Sequence, residues 1–280
     1  MSRKFITIIL IALAVLCIWN AGSQNEPLIN KRTQYGLTPT EPLENAPPMM
    51  TFTTIVMGGF RGLIADILWL RISLLQEDGK FFELVQLSDW VTKLEPRNNE
   101  IWAFHAWNMA YNVSVMMPDY NDRWRWVSNG IKLLRDEGIL YNRGDPEVYR
   151  QLGWLFQDKI AKASDMAHAT YKKHWAEEMT ALLGGPSPDY EKLSEAQRTS
   201  MKETYKLEVD VMKELDQLYG PLDWTMPEPH ALYWAYLGIL RSSRKDTRSC
   251  KMMMRQTVRA INDGGYVKSF EKSRQERKKK

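Results

Sequence analysis

The chain has 280 residues, 44% of them hydrophobic and 26% charged, which supplies enough apolar material for a sizeable core and excludes a disordered polymer. Its formal charge of +4 belongs to one end: Lys268 to Lys280 hold seven Lys or Arg and two Glu, while the rest sets 31 Lys or Arg against 32 Asp or Glu, so the body has no cationic face for nucleic acid. With two cysteines, Cys17 in the first apolar run and Cys250 far away, no disulfide framework can be drawn inside the body.

At the amino end, Met-Ser-Arg-Lys precedes an apolar run from Phe5 to Trp19, and Asn-Ala-Gly-Ser follows. Two cations ahead of about fifteen apolar residues have the pattern of a secretory signal or signal anchor. Residues 1–22 are therefore expected to form a single-pass anchor that contacts the bilayer through residues 5–19. The positive-inside rule then puts the amino end in the cytoplasm and the rest outside. Cleavage after Ser23, leaving an exported soluble protein, is the alternative. Residues 23–50 contain Pro27, Pro39, Pro42, Pro47 and Pro48 and few periodic apolar positions, the composition of an extended tether.

From residue 51 to 263 the pattern is helical, with no alternating strand, so the fold class expected is all-α. Ile55, Val56, Gly59, Leu63, Ile67, Leu70 and Leu74 recur at spacings of three and four. Helices are predicted at 51–77, 80–94, 99–116, 120–137, 146–162, 165–183, 190–218, 229–243 and 247–262. Asp145-Pro146-Glu147 gives one start an N-cap, a first-turn proline and a first-turn acid, and Ser194 with Gln197 has capping-box spacing. The end, 264–280, reads as a basic, disordered tail that could meet anionic lipid or an acidic partner.

The first of these helices carries Gly58, Arg61, Gly62, Asp66 and Arg71 in an apolar setting. The glycines have the spacing that permits close helix contact, and Asp66 could pair with an arginine of another turn or another chain. That marks a docking site for membrane or partner; the alternative is an amphipathic helix packed on its neighbour, with its charges near the surface.

A repeat follows. Val148 to Phe156 holds an aromatic, Leu152-Gly153 and two further aromatics; Trp234 to Gly238 repeats its first half, and Trp102 to Ala106 is a weaker copy with His105 in the leucine position. The small residues at 65, 106, 153 and 238 are 41, 47 and 85 apart. Over about residues 55–262 the chain thus resembles tetratricopeptide-repeat proteins, with units longer than that family's roughly 34 residues. The resemblance implies a solenoid of stacked antiparallel helix pairs that binds a protein or peptide in a groove lined by the first helix of each pair. Carried onto this chain, the groove positions are Glu100, Ala103, Trp107, Ala110 and Tyr111, then Glu147, Arg150, Trp154, Gln157 and Asp158. Large aromatics mixed with Arg and acids make good anchors, although the same aromatics serve equally well as packing between helices.

No catalytic, cofactor or metal residues are nominated. His105, His168, His174 and His230 show no ligand spacing, and the nucleophile-elbow, Walker and dinucleotide motifs are absent. His230, beside Pro227 and Pro229, reads as a structural helix entry. The expected role is a membrane-anchored scaffold that mediates protein-protein interaction in the cell envelope, without enzymatic activity. The alternatives are an accessory subunit of a secretion, pilus or transport complex and an envelope enzyme acting on glycan or peptide.

Overall fold

The structure, a computed structural model, describes residues 3–23, 27, 30–31, 34, 60–163, 165–243 and 246–278. Two compact units divide the chain, Met1–Phe52 and Thr53–Lys280. All regular structure among the described residues is helical.

The first unit contains α1 (Arg3–Ser23). Its Leu, Ile and Ala residues favour helix, and Ser23 Oγ donates to the Asn20 carbonyl in the last turn at 2.8 Å. Phe5, Ile11, Val15 and Trp19 are exposed. Among the described residues no helix is long and apolar enough to cross a membrane. The apolar part of α1, Phe5 to Trp19, is about fifteen residues against the roughly 17–25 that a span requires.

The second unit opens with α2 (Phe60–Glu77) and α3 (Phe81–Leu94). Gly79, at a φ of 70°, makes the turn between them. Ala65, Ile72 and Leu75 of α2 close on Leu84, Val91 and Leu94 of α3 and on Ile101, forming a small core.

Two helices then repeat at an interval of 47. The first, α4 (Asn99–Trp107), continues as a π-helical segment, Asn108–Val113. The other, α6 (Pro146–Trp154), continues as the π-helical segment Leu155–Ile160. Their caps are equivalent too: the Asn98 side chain accepts from Glu100 N–H at 3.2 Å and Asp145 from Glu147 N–H at 3.0 Å, each satisfying a donor that the first turn leaves free. Asn99 Nδ2 donates to Asp145 Oδ2 at 2.5 Å and so ties one start to the next.

Between them lies α5 (Tyr120–Lys132), extended by the π-helical segment Leu133–Gly138. Gly130 allows α5 to cross α4 closely, because a Cβ there would lie 2.8 Å from the Ala106 carbonyl oxygen. The matching partner of α6 by the same interval is α7 (His168–Leu183). Position 177, the equivalent of Gly130, is an exposed Glu, and α7 meets instead the π segment after α6, through Phe156 and Trp175 with rings 4.8 Å apart.

The close neighbour of α6 is α10 (Pro227–Leu240). A Cβ on Gly153 would lie 3.1 Å from the Ala231 carbonyl oxygen, and one on Gly238 would lie 2.8 Å from Tyr149 Cβ. The helix α11 (Arg248–Lys278) packs against both, bringing Cys250 Sγ to the Pro146 carbonyl at 3.3 Å. Helix α6 is thus paired with one some eighty residues on, where sequential pairs would have put α7.

The expected long helix at 190–218 is two: α8 (Glu195–Glu203), which has the capping box at Ser194 and Gln197, and α9 (Val209–Tyr219). They are split where Lys206 takes a φ of 55°. The Lys206 carbonyl accepts from Tyr233 Oη at 3.0 Å, and that oxygen in turn accepts from Glu208 N–H at 2.8 Å. Helix α11 also outruns its expected end at 262, reaching Lys278.

Candidate functional site

The two π segments bring the predicted groove residues Tyr111 and Asp158 together. An extra residue per turn rotates the side chains beyond it relative to an ordinary helix, and Ala161 N–H reaches back five residues to the Phe156 carbonyl at 2.9 Å. Tyr111 Oη donates to Asp158 Oδ2 at 3.0 Å, and Lys162 Nζ donates to Asp158 Oδ1 at 2.7 Å. The Tyr111 ring stacks on Trp107 at 5.4 Å and faces Lys159 Nζ at 5.0 Å. Lys162 lies over the Trp154 ring at 5.1 Å. Burial first, and then the adjacent Asp158 carboxylate, push the Tyr111 hydroxyl far above its usual range, so it remains a hydrogen-bond donor. The result is a connected aromatic face on which Trp107 is still 40% exposed.

The remaining groove positions divide. Glu100 is exposed and Ala103 half-buried on α4, while Ala110 is interior. Glu147 and Arg150 satisfy each other, Arg150 Nε donating to Glu147 Oε1 and Oε2 at 2.8 and 2.9 Å. Gln157 faces inward, where it is 6% exposed and donates to Thr257 of α11 at 2.9 Å. Side chains at one periodic face have therefore been drawn both outward and into the core, because α11 covers part of it.

On α2, Asp66 and Arg71 are exposed, and a Cβ on Gly62 would meet nothing within 4 Å. Gly58 and the side chain of Arg61 lie outside the described residues. His105 and His230 are interior, and His230 Nε2 contacts the Trp224 carbonyl at 2.9 Å. Among the described residues no group of three or more His, Cys, Asp or Glu could hold a metal ion.

One surface corresponds to no sequence motif. A groove of about 540 Å³ runs beside α9 and α11, lined by Tyr219, Met254 and Val258 with Lys251, Arg255, Arg259 and Asn262. The three cations recur every fourth residue and share one face of α11. Among the described residues Arg255 and Arg259 have no hydrogen bond or ion pair, and Lys251 adds only a through-space attraction to Asp246. The spacing was visible in the sequence; the apolar floor beneath it depends on α9 arriving alongside.

Comparison with family models, with curated proteins and with solved structures finds no match for this chain.

Proposed function

We propose that this protein is a membrane-tethered, tetratricopeptide-like helical scaffold on the outer side of the membrane, and that it binds an acidic, amphipathic protein segment along the α9–α11 groove. The observation that carries the reading is the row of Lys251, Arg255 and Arg259 above an apolar floor. Unpaired cations at helical spacing complement carboxylates on a partner helix, while Met254, Val258 and Tyr219 receive its apolar side. The Trp107, Tyr111 and Trp154 face is the second contact surface. Tethering rests on the amino-terminal pattern. A short apolar run is accommodated in a bilayer by local thinning and by Arg3 and Lys4 reaching the headgroups.

The test uses the full chain in membranes with photo-crosslinkers at positions 107 and 255. Lys251→Glu with Arg259→Glu should abolish the adducts at 255 and leave the melting temperature within a few degrees, and the adducts formed without these charge reversals should weaken as salt rises. Adducts indifferent to both charge reversal and salt would overturn the groove assignment. Mass spectrometry of the native amino terminus checks the tether, since a start near Asn25 means that the anchor has been removed.

A further inference from the structure

Helix α2 is apolar on two sides, and among the described residues only one of them is packed. Ala65, Ile72 and Leu75 are buried against α3. Leu63, Ile67, Leu70 and Leu74 lie on the other side and are between 54% and 70% exposed. Their spacing of four, three and four is that of a coiled-coil seam, with Leu63 and Leu70 at d positions and Ile67 and Leu74 at a positions. At the Ile67 layer a β-branched residue at a joins Leu at d, the combination that favours two parallel strands, whereas Leu74 adds no such preference.

The flanking charges fit the same frame. Asp66 falls at a g position and Arg71 at the following e position, five residues later. Both are exposed and, among the described residues, neither has a hydrogen bond or ion pair. In a parallel two-stranded pairing each g residue faces the next e residue of the other strand. Two copies would therefore form two Asp66–Arg71 pairs across the seam, one on each side. An antiparallel pairing sets g against g and e against e, bringing like charges together.

We infer that α2 is a self-association surface, and that two copies of this chain pair in parallel through Leu63, Ile67, Leu70 and Leu74. Two heptads are too few to hold free peptides together. Here each helix is already held by its packing on α3, so pairing does not have to order it. The expected dimer is weak in solution, and a shared bilayer would strengthen it by raising the effective concentration.

The test mixes differently tagged full chains in detergent at tens of micromolar and measures co-purification and sedimentation, with circular dichroism to confirm helicity. Asp66→Arg alone and Arg71→Asp alone each place like charges across the seam and should weaken self-association about tenfold. A mixture of the two variants restores both attractive pairs and should recover, as should the chain carrying both changes. Leu70→Ser should abolish pairing without loss of helicity. The milder Asp66→Asn and Arg71→Gln should move the same readout less. A monomeric wild type, or a mixture that associates no better than either variant alone, would overturn the pairing. So would charge-independent flotation with lipid vesicles that Leu70→Ser removes, which would make α2 a bilayer contact. None of these changes touches the α9–α11 groove, so the two proposals fail separately.

Discussion

His105 occupies the leucine position of its repeat, and its interior setting makes it costly. It is 2% exposed, and neither ring nitrogen has a hydrogen-bond partner. Burial, opposed by Asp89 and aided by Lys93, lowers its pKa from 6.5 to about 4. Burial does the same to His230, which also reaches about 4. Between those values the unfolded chain holds more protons than the folded one, so stability is fully present above 6.5 and falls as pH drops through that window. At pH 5 each histidine should cost about 2 kcal/mol relative to pH 7. Chemical denaturation at the two pH values should show the loss, and His105→Leu should halve it. The same substitution should stabilise the protein by about 1–2 kcal/mol at neutral pH, since it removes two unpaired buried nitrogens; an unchanged pH slope would mean that other groups carry it. Lys159 is the opposite case, 2% exposed but ion-paired with Asp165 at 2.5 Å. Lys159→Ala should cost about 3–5 kcal/mol by leaving that carboxylate uncompensated, readable as a shift in denaturation midpoint.

At the level of helices, the small residues decide which neighbours meet. Gly153→Ala and Gly238→Ala each force a methyl against atoms near 3 Å on the facing helix, including the Ala231 carbonyl and Tyr149 Cβ. Overpacking of that kind costs about 1–3 kcal/mol, partly offset by alanine's better helix propensity of about 1 kcal/mol. Calorimetry should record lower melting temperatures for both. Gly62→Ala, with open space around it, should raise the melting temperature, since only the propensity effect remains. Such positions were legible in the sequence, as were the caps at Asp145 and Ser194, because they depend on residues a few positions apart. The π segments were not, since the apolar periodicity continues through one extra residue per turn. Nor was the break at Lys206, where no Gly or Pro signals it and Tyr233, far along the chain, supplies the hydrogen bonds that hold it. The aromatic face was half legible: the interval of 47 that separates Trp107 from Trp154 also separates Tyr111 from Asp158. Gln157 shares that periodic face and is buried only because α11 returns to cover it, a long-range event that local spacing does not encode.

Across the whole second unit, stability should be uneven because its two cores differ in size. One holds Ala65, Ile72, Leu75, Leu84, Val91, Leu94 and Ile101. The other draws on every helix from α4 to α11. Among the described residues they adjoin along α4, where Ile101 belongs to the first core and the adjacent Trp102 to the second, and α3 also touches α5 through Phe82 and Trp126, with rings 5.9 Å apart. Local opening costs free energy in proportion to the contacts given up, and the smaller core has fewer to give up. The pair α2 and α3 should therefore open without unfolding α4. In native-state hydrogen exchange, amides of α2 and α3 should report an opening free energy well below that of α6 and α10, with little response to low denaturant in the second group. Trp102→Ala should bring the two groups closer together. Its ring is 1% exposed and its Nε1 donates to the Pro96 carbonyl at 2.7 Å, so its loss lowers the global free energy by about 3–5 kcal/mol while leaving the small core's own contacts in place. Uniform protection across both groups in the native protein would show instead that α4 transmits the small core's opening to the rest.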